Sequence, residues 1–287
     1  MTEIVDAHVH LWDSSVPGGR DVPNFPFPGH VDGSAETLLA EMNAHNVARA
    51  IVVQSPWWQH DDRYLLAVGD RYPDRLTLVG CLPMPLASAD PAAATARIGS
   101  DGMMGLRLHI SEPTDVRIVE SEEFRPIFKR LSDEDLPVLF VGRSANIIEC
   151  YDRLAQTFPD LNIVIDHIGF VTAPFGGNKA VEDALVALSE RARIRVKIAV
   201  HHQHSQEAYP WKDVIPLQQR LIAAYGASRL MWGSNWPMRE PTYAQRLEVM
   251  TRHFPFKTPE DRDWIMGGTA DALWPQAGVA KRKALRG

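Results

Sequence analysis

Two histidines near the start of the chain, His8 and His10, are separated by one residue and follow an apolar stretch. If this stretch is a β-strand, both imidazoles lie on one face, because strand side chains alternate with period two. Two imidazoles on one face supply half of the ligands of a tetrahedral zinc site. We therefore predict that His8 and His10 bind a divalent metal ion, with Asp6 one step deeper on the same face as support.

Other candidates follow later predicted strands. His167 ends an apolar segment, and alternation predicts that it shares a face with Ile163 and Ile165. Arg107 and His109 alternate with aliphatic residues, which predicts an inward-facing polar pair near a binding site. An inward arginine requires an anion, and both a substrate carboxylate and a carboxylate of the protein itself fit this role.

Three histidines, His201, His202 and His204, follow the apolar segment that contains Lys197. Their spacing does not bring all three to one metal ion, so one of them acting as general acid or base is the simpler hypothesis. For Lys197, a structural ion pair is favoured over a role in the site. Further candidates for substrate binding lie in predicted strand-end loops. The tryptophans Trp57, Trp58, Trp211 and Trp236 fit an apolar pocket and a large core about equally well. Arg143 and Arg239 would add positive charge, although a single arginine of this kind is more often a surface residue.

The composition excludes several classes of function. The chain has 287 residues, a net charge of −6 and a pI near 6.0, which argue against nucleic acid as the main partner. No apolar run approaches the roughly 20 residues of a membrane span, and no signal peptide is evident. Two cysteines do not make a disulfide framework, so we expect a reduced, cytoplasmic protein. A small-molecule substrate is the expected partner, and the composition leaves homo-oligomer formation open.

The order of apolar segments predicts the fold. Eight buried strands are expected near residues 3–9, 48–53, 76–82, 103–109, 137–141, 162–166, 194–199 and 229–233. Helices are expected near residues 35–46, 61–71, 91–99, 122–135, 145–157, 179–191 and 214–225, with a closing helix pair in 258–274. This alternation predicts a single-domain (β/α)8 TIM barrel over residues 1–287, with a doubly wound sheet as the alternative. The long segments 14–33 and 199–213 follow strands and are therefore expected on the catalytic face.

Several motifs together resemble those of the amidohydrolase superfamily. They are Asp6-Ala-His8-Val-His10, Gly105-Leu-Arg107, Asp166-His167-Ile-Gly169, Gly233-Ser-Asn235-Trp-Pro237, Ile265-Met-Gly-Gly268 and Ala272-Leu-Trp274. The resemblance is to the compact metal-dependent branch that contains sugar lactonases, pyrone-dicarboxylate lactonase and aromatic-acid decarboxylases. It implies a (β/α)8 barrel, with His8, His10 and His167 as metal ligands or polarising groups and position 235 as base or fourth ligand. The resemblance implies one divalent metal ion, with zinc as the first choice. The bridging residue of the binuclear subtype is missing from Gly105–Ile110 and Pro137–Gly142. A metal-free site is the alternative.

Asn235 departs from this motif, in which the family carries aspartate. An amide keeps the shape of the carboxylate and still offers a carbonyl ligand, but it does not accept a proton at pH 7. Three interpretations follow: a substitution made to trap a ligand, an enzyme that uses His201, His202 or His204 as its base, or a binding protein with the same fold that has lost its catalytic activity. The first functional hypothesis is hydrolysis of a small carboxylated or polyhydroxylated lactone, or of a related C–O or C–N bond. The alternatives are non-oxidative decarboxylation of an aromatic acid and non-catalytic binding of a small molecule.

Overall fold

The computed structural model describes residues 2–13, 31–55, 62–82, 90, 102–110, 113–142, 145–237 and 240–276. Eight parallel strands form one sheet in sequence order, and contacts between the first and last strands bring its two edges together. The strands are β1 Ile4–Val9, β2 Val47–Val53, β3 Leu76–Leu82, β4 Leu106–Ile110, β5 Val138–Gly142, β6 Ile163–Ile165, β7 Ile194–Ala199 and β8 Leu230–Gly233. This is the (β/α)8 barrel that the sequence predicted.

Helices surround the sheet and connect its strands. In the described part of the chain they are α1 Ala35–Ala44, α2 Arg63–Arg71, α3 Pro113–Val119, α4 Arg125–Asp133, α5 Ala145–Thr157, α6 Lys179–Ala187, α7 His201–His204, α8 Ile215–Tyr225, α9 Tyr243–Glu248, α10 Pro259–Asp263 and α11 Thr269–Leu273. Local signals explain where several of them begin. Ser34 and Asn178 cap α1 and α6 by accepting hydrogen bonds from backbone N–H groups of the first turn.

The buried apolar side chains form two layers. One lies inside the barrel, and the other lies between the strands and the helices. On β4, Leu106, Leu108 and Ile110 pack in the outer layer, under the helices. Arg107 lies between them and is also buried, so it faces the interior, as the alternation predicted. The inner layer is closed below by the last helix, because Leu273 of α11 packs against side chains from the strands.

The strand boundaries agree with the predicted ones to within three residues. Several helical segments differ. Helix α3 was not predicted, and 199–213, predicted as a loop, contains the short helix α7. The predicted closing pair in 258–274 is α10 and α11, joined by the π-helical turn Trp264–Gly268.

Some predictions lie outside the described residues. They concern the helix at 91–99, most of the segment 14–33, and the candidate substrate-binding residues Trp57, Trp58, Arg143 and Arg239. Within the described residues, no helix has both the length and the apolar character needed to cross a membrane.

Candidate active site

A β-bulge at the end of β1 decides which side chains enter the barrel. Asp6 pairs with Ala50 and Val9 pairs with Val52, so β1 uses one residue more than β2 over this interval. Val5, before the bulge, faces the interior. Within the bulge two consecutive residues, Ala7 and His8, both face the interior, and His8 is fully buried.

Asp6 therefore does not share a face with the histidines, as the sequence analysis expected. Its carboxylate accepts hydrogen bonds from the backbone N–H of His8 at 3.2 Å, the backbone N–H of Ser234 at 2.8 Å and the hydroxyl of Tyr243 at 3.0 Å. Burial raises the pKa of Asp6, although these hydrogen bonds oppose the effect. Asp6 thus ties the backbone of β1 to the end of β8 from outside the barrel.

His8 on β1 and His10 just after it point their Nε2 atoms at each other. These atoms are 3.3 Å apart, and Nδ1 of His10 is 2.7 Å from the carbonyl oxygen of Val53. A carbonyl oxygen only accepts, so Nδ1 of His10 carries the proton and Nε2 of His10 presents a lone pair. Burial is the main reason that the pKa of His10 is lowered to about 3 and that of His8 is also lowered, so both rings are neutral at pH 7.

Asp166 lies beneath these rings and is paired with two cations. Its Oδ2 is 2.9 Å from Nε of Arg107, and its Oδ1 is 3.2 Å from Nζ of Lys197. All three side chains are at most 3% exposed. Burial alone would raise the pKa of Asp166, but Lys197 and Arg107 hold it well below its usual range. Asp166 is therefore a permanent carboxylate and a poor proton acceptor.

Lys197 forms the structural ion pair that the sequence analysis favoured, and it also contacts His8. Its Nζ lies 3.1 Å from Nδ1 of His8 and 5.7 Å from the ring centre of Trp274, which rises from the barrel floor. Burial lowers the pKa of Lys197 to about 8, while Asp166 opposes that change. The ammonium group is thus fixed inside the barrel by an anion, an imidazole and an aromatic face.

His167 reaches the site by a route that alternation did not predict. Ile163 and Ile165 of β6 pack outwards under the helices, and Asp166 is the residue that continues the inward face of Val164. His167 has a φ of 53°, and this left-handed turn directs its ring to 4.5 Å from that of His8. The predicted face was therefore wrong, although the side chain still joins the cluster.

Asn235 lies where β8 meets β1. Its backbone N–H donates to the carbonyl of His8 at 2.8 Å, and its φ is 56°, a left-handed value that asparagine tolerates better than most residues. Gly233 makes this approach feasible, because a Cβ there would lie 2.7 Å from Cβ of His8. Asn235 is 9% exposed, and its neighbour Trp236 is buried in the outer apolar layer beneath the helices.

His109 continues the inward face of β4 above Arg107. Burial lowers its pKa well below the ordinary value, and the positive charge of Arg107 acts in the same direction. The same causes, burial above all, lower the pKa of His167. The site thus combines neutral imidazoles with a buried network of two cations and one carboxylate among its described residues.

The histidines after β7 contact other elements of the fold. Nε2 of His201 is 2.7 Å from Nε2 of Gln218 on α8, and Nδ1 of His204 is 2.8 Å from Oγ1 of Thr172. His202 packs on Trp211 with ring centres 5.8 Å apart. Burial lowers the pKa values of His201 and His202 to about 4, so both are neutral at pH 7. Their role as proton carriers stays a prediction.

The cluster has donors suited to a divalent metal ion. Two nitrogen ligands of a tetrahedral zinc ion are about 3.3 Å apart, which is the separation of Nε2 in His8 and His10. Nδ1 of His10 donates a hydrogen bond to a carbonyl oxygen, as the second ring nitrogen of a metal-bound histidine usually does. Nδ1 of His167 is buried and has no hydrogen-bond partner among the described residues. One ligand atom each of His8, His167 and Asp166 also falls within 4.8 Å of the others, but both oxygens of Asp166 already contact cations.

Comparison with known proteins assigns the family. The amidohydrolase family profile matches residues 5–276. The chain belongs to the amidohydrolase family. It is 28% identical over 244 residues to L-fucono-1,5-lactonase of Burkholderia ambifaria, covering 83% of this chain and 81% of the relative. These matches agree with the resemblance drawn from the sequence motifs.

Solved structures extend the comparison to the whole fold of this amidohydrolase. A Pseudomonas putida protein described as a candidate 2-pyrone-4,6-dicarboxylic acid hydrolase superposes with a TM-score of 0.79 at 25% identity, covering 96% of this chain and 98% of that one. An amidohydrolase of Burkholderia multivorans with bound zinc has a TM-score of 0.76 at 17% identity and covers 94% and 98% of the two chains. The second likeness shows the shared barrel fold.

Two members of the cluster were missed as site residues from the sequence. Asp166 was noted only as part of a motif, and Lys197 was assigned to a structural ion pair. The signal for both was present: Asp166 directly follows the apolar strand β6, and Lys197 stands between Val196 and Ile198 on β7. A buried charge requires a partner, and two opposite charges on neighbouring strands supply each other.

Proposed function

We propose that this amidohydrolase hydrolyses a small lactone that carries a carboxylate or several hydroxyl groups. The observation that supports it most is the convergence of His8, His10 and His167 at the carboxyl end of the barrel, where barrel enzymes place their active sites. The lactonase relative agrees in reaction class. The buried cation Arg107 favours a substrate with anionic or electron-rich oxygens.

His8, His10 and His167 would hold one divalent ion, with zinc as the ion that imidazoles suit. When bound, such an ion polarises a carbonyl and lowers the pKa of water. The protein keeps the three rings neutral by burial, so each ring has one nitrogen that carries no proton. Arg107 is oriented through its Nε by Asp166, and the terminal nitrogens of its planar guanidinium would donate to an oxygen of the substrate.

Asn235 cannot act as the general acid or base of this reaction. Its amide orients a water or a carbonyl by hydrogen bonding, but it neither removes a proton from water nor returns one to a leaving group. Asp166 does not replace it, because its two cations hold it ionised. Of the histidines after β7, His202 has both ring nitrogens without a hydrogen-bond partner among the described residues, so it is the first alternative base to test.

The test is a panel of lactones given to the purified protein. It should contain five- and six-membered sugar lactones, a uronic acid lactone and a pyrone dicarboxylate, with acid release followed by pH-stat. We expect hydrolysis of at least one lactone by the chain as it stands or by Asn235→Asp, and loss of that activity when His8→Asn is added. If neither protein hydrolyses any lactone, the proposal is wrong.

The same proteins separate the two other functions. Release of CO₂ from hydroxybenzoates without lactone hydrolysis would identify a decarboxylase. Tight binding of a lactone with no turnover, both with Asn235 and after Asn235→Asp, would identify a binding protein. Decarboxylation has less support, because His201 and His204, two candidates for protonating a ring carbon, form hydrogen bonds with Gln218 and Thr172.

A further inference from the structure

Nδ1 of His8 lies between two groups that make opposite demands on it. Nζ of Lys197 is 3.1 Å away, and Oδ1 of Asp166 is 3.4 Å away. The ammonium group only donates, so it requires a lone pair on Nδ1. The carboxylate only accepts, so it requires a proton on Nδ1. A neutral imidazole satisfies one of these partners at a time.

The choice at Nδ1 decides what Nε2 of His8 does. If Lys197 donates to Nδ1, the single ring proton is on Nε2 and points at the lone pair of His10, 3.3 Å away. A continuous chain of hydrogen bonds then runs from Lys197 through both rings to the carbonyl of Val53. In this arrangement Nε2 of His8 has no lone pair for a metal ion.

The other tautomer of His8 makes its Nε2 atom available to a metal ion. With the ring proton on Nδ1 and shared with Asp166, the Nε2 atoms of His8 and His10 both present lone pairs at the spacing of two zinc ligands. A carboxylate behind a metal-bound histidine is the usual support for that tautomer. The ring as a whole neither gains nor loses a proton, since one leaves Nε2 and one arrives at Nδ1.

We propose that Lys197 is a positioning residue that sets the metal affinity of the site by holding His8 in the tautomer that does not bind metal. Lys197 is 0% exposed, is paired with Asp166 and lies over Trp274, so it does not swing aside into solvent. Its positive charge also opposes the entry of a second cation. This inference rests on the metal site of the proposed function, and it assigns opposite effects to the two partners of one buried ion pair.

The experiment measures Zn²⁺ affinity directly, by competition with a chromophoric chelator at pH 7.5. Four full-length proteins are compared: the chain as it stands, Lys197→Met, Asp166→Asn and Arg195→Met. Lys197→Met removes the donor at similar side-chain length and should tighten zinc binding about tenfold or more. Asp166→Asn should weaken it by about 10–100-fold, the usual effect of losing such support.

Arg195→Met is the matched control. Arg195 lies two residues earlier on β7 and donates to Asn162 at 2.8 Å, towards the amino end of the barrel. Its removal should leave zinc affinity unchanged. If both members of the Lys197–Asp166 pair served only stability, both variants would lose zinc affinity together. Equal or weaker binding by Lys197→Met therefore overturns the inference while leaving the metal site standing, whereas no zinc binding by any of the four overturns both.

A second measurement needs no variant. Long-range ¹H–¹⁵N correlation spectra of the zinc-free protein distinguish the two tautomers of a neutral histidine. We expect His8 to carry its proton on Nε2, and addition of Zn²⁺ to move that proton to Nδ1. A proton on Nδ1 in the zinc-free protein would contradict the role given to Lys197.

Discussion

Replacing Asn235 with aspartate tests the site most directly. The change is nearly isosteric, so packing around position 235 should be preserved. It adds a carboxylate at the end of β8, next to a cluster whose ionised groups among the described residues are two cations and one anion. These are Arg107, Lys197 and Asp166, all buried. The new charge therefore enters a site with an excess of one positive charge.

The size of the expected effect follows from this arrangement. A general base contributes about 10²–10⁴-fold to a rate, or roughly 3–5 kcal/mol of activation free energy. An unpaired carboxylate at a position that is 9% exposed would destabilise the protein. The excess cation of the cluster offsets that cost, so we expect the free energy of unfolding to change by no more than about 1 kcal/mol. The kcat for the best lactone should rise by orders of magnitude while KM changes little.

The assay compares kcat and KM with urea unfolding at pH 7 for both forms. Asn162→Asp is the control, because Asn162 is also buried but lies at the amino end of the barrel, hydrogen-bonded to Arg195. It should give no gain in kcat. An Asn235→Asp protein that is folded but no faster would refute the role of position 235 in proton transfer. A loss of more than about 2 kcal/mol in stability would refute the charge argument.

Three further predictions concern stability. Asp166→Asn leaves two buried cations without their carboxylate and should lower the free energy of unfolding by about 3–5 kcal/mol in chemical denaturation; a loss below 1 kcal/mol would contradict the ion-pair network. Burial lowers the pKa of His201 from 6.5 to about 4, so below pH 6.5 the unfolded state binds a proton that the folded state does not. Stability should therefore fall as the pH drops from 6.5 towards 4, and His201→Gln should flatten that slope in urea titrations. Gly233→Ala places a Cβ 2.7 Å from that of His8 and should cost about 1–3 kcal/mol, whereas an unchanged melting curve would show that the two strands move apart freely.

Much of the fold follows from local patterns. The strands read from apolar segments match the observed ones because parallel barrel strands are buried on both faces and are therefore apolar along their length. Helix α3 was missed, since its seven residues, Pro113–Val119, include a single fully buried one and give no clear helical period. The helix α7 was missed because its four residues are too few to show a helical period.

For the site, the sequence determined which residue types are present and where the strands end. It placed His8 and His10 at the end of β1 and an amide at position 235. The motifs determined the family, which the profile match confirms. Tertiary structure decided which side chains meet. The bulge in β1 turned His8 inward and Asp6 outward, and the left-handed turn at His167 brought its ring back to the cluster. Strand alternation is a local property and shows neither feature. The bulge lies where β1 meets β8, between residues more than 200 positions apart, and the ring of His167 packs against that of His8 on a distant strand.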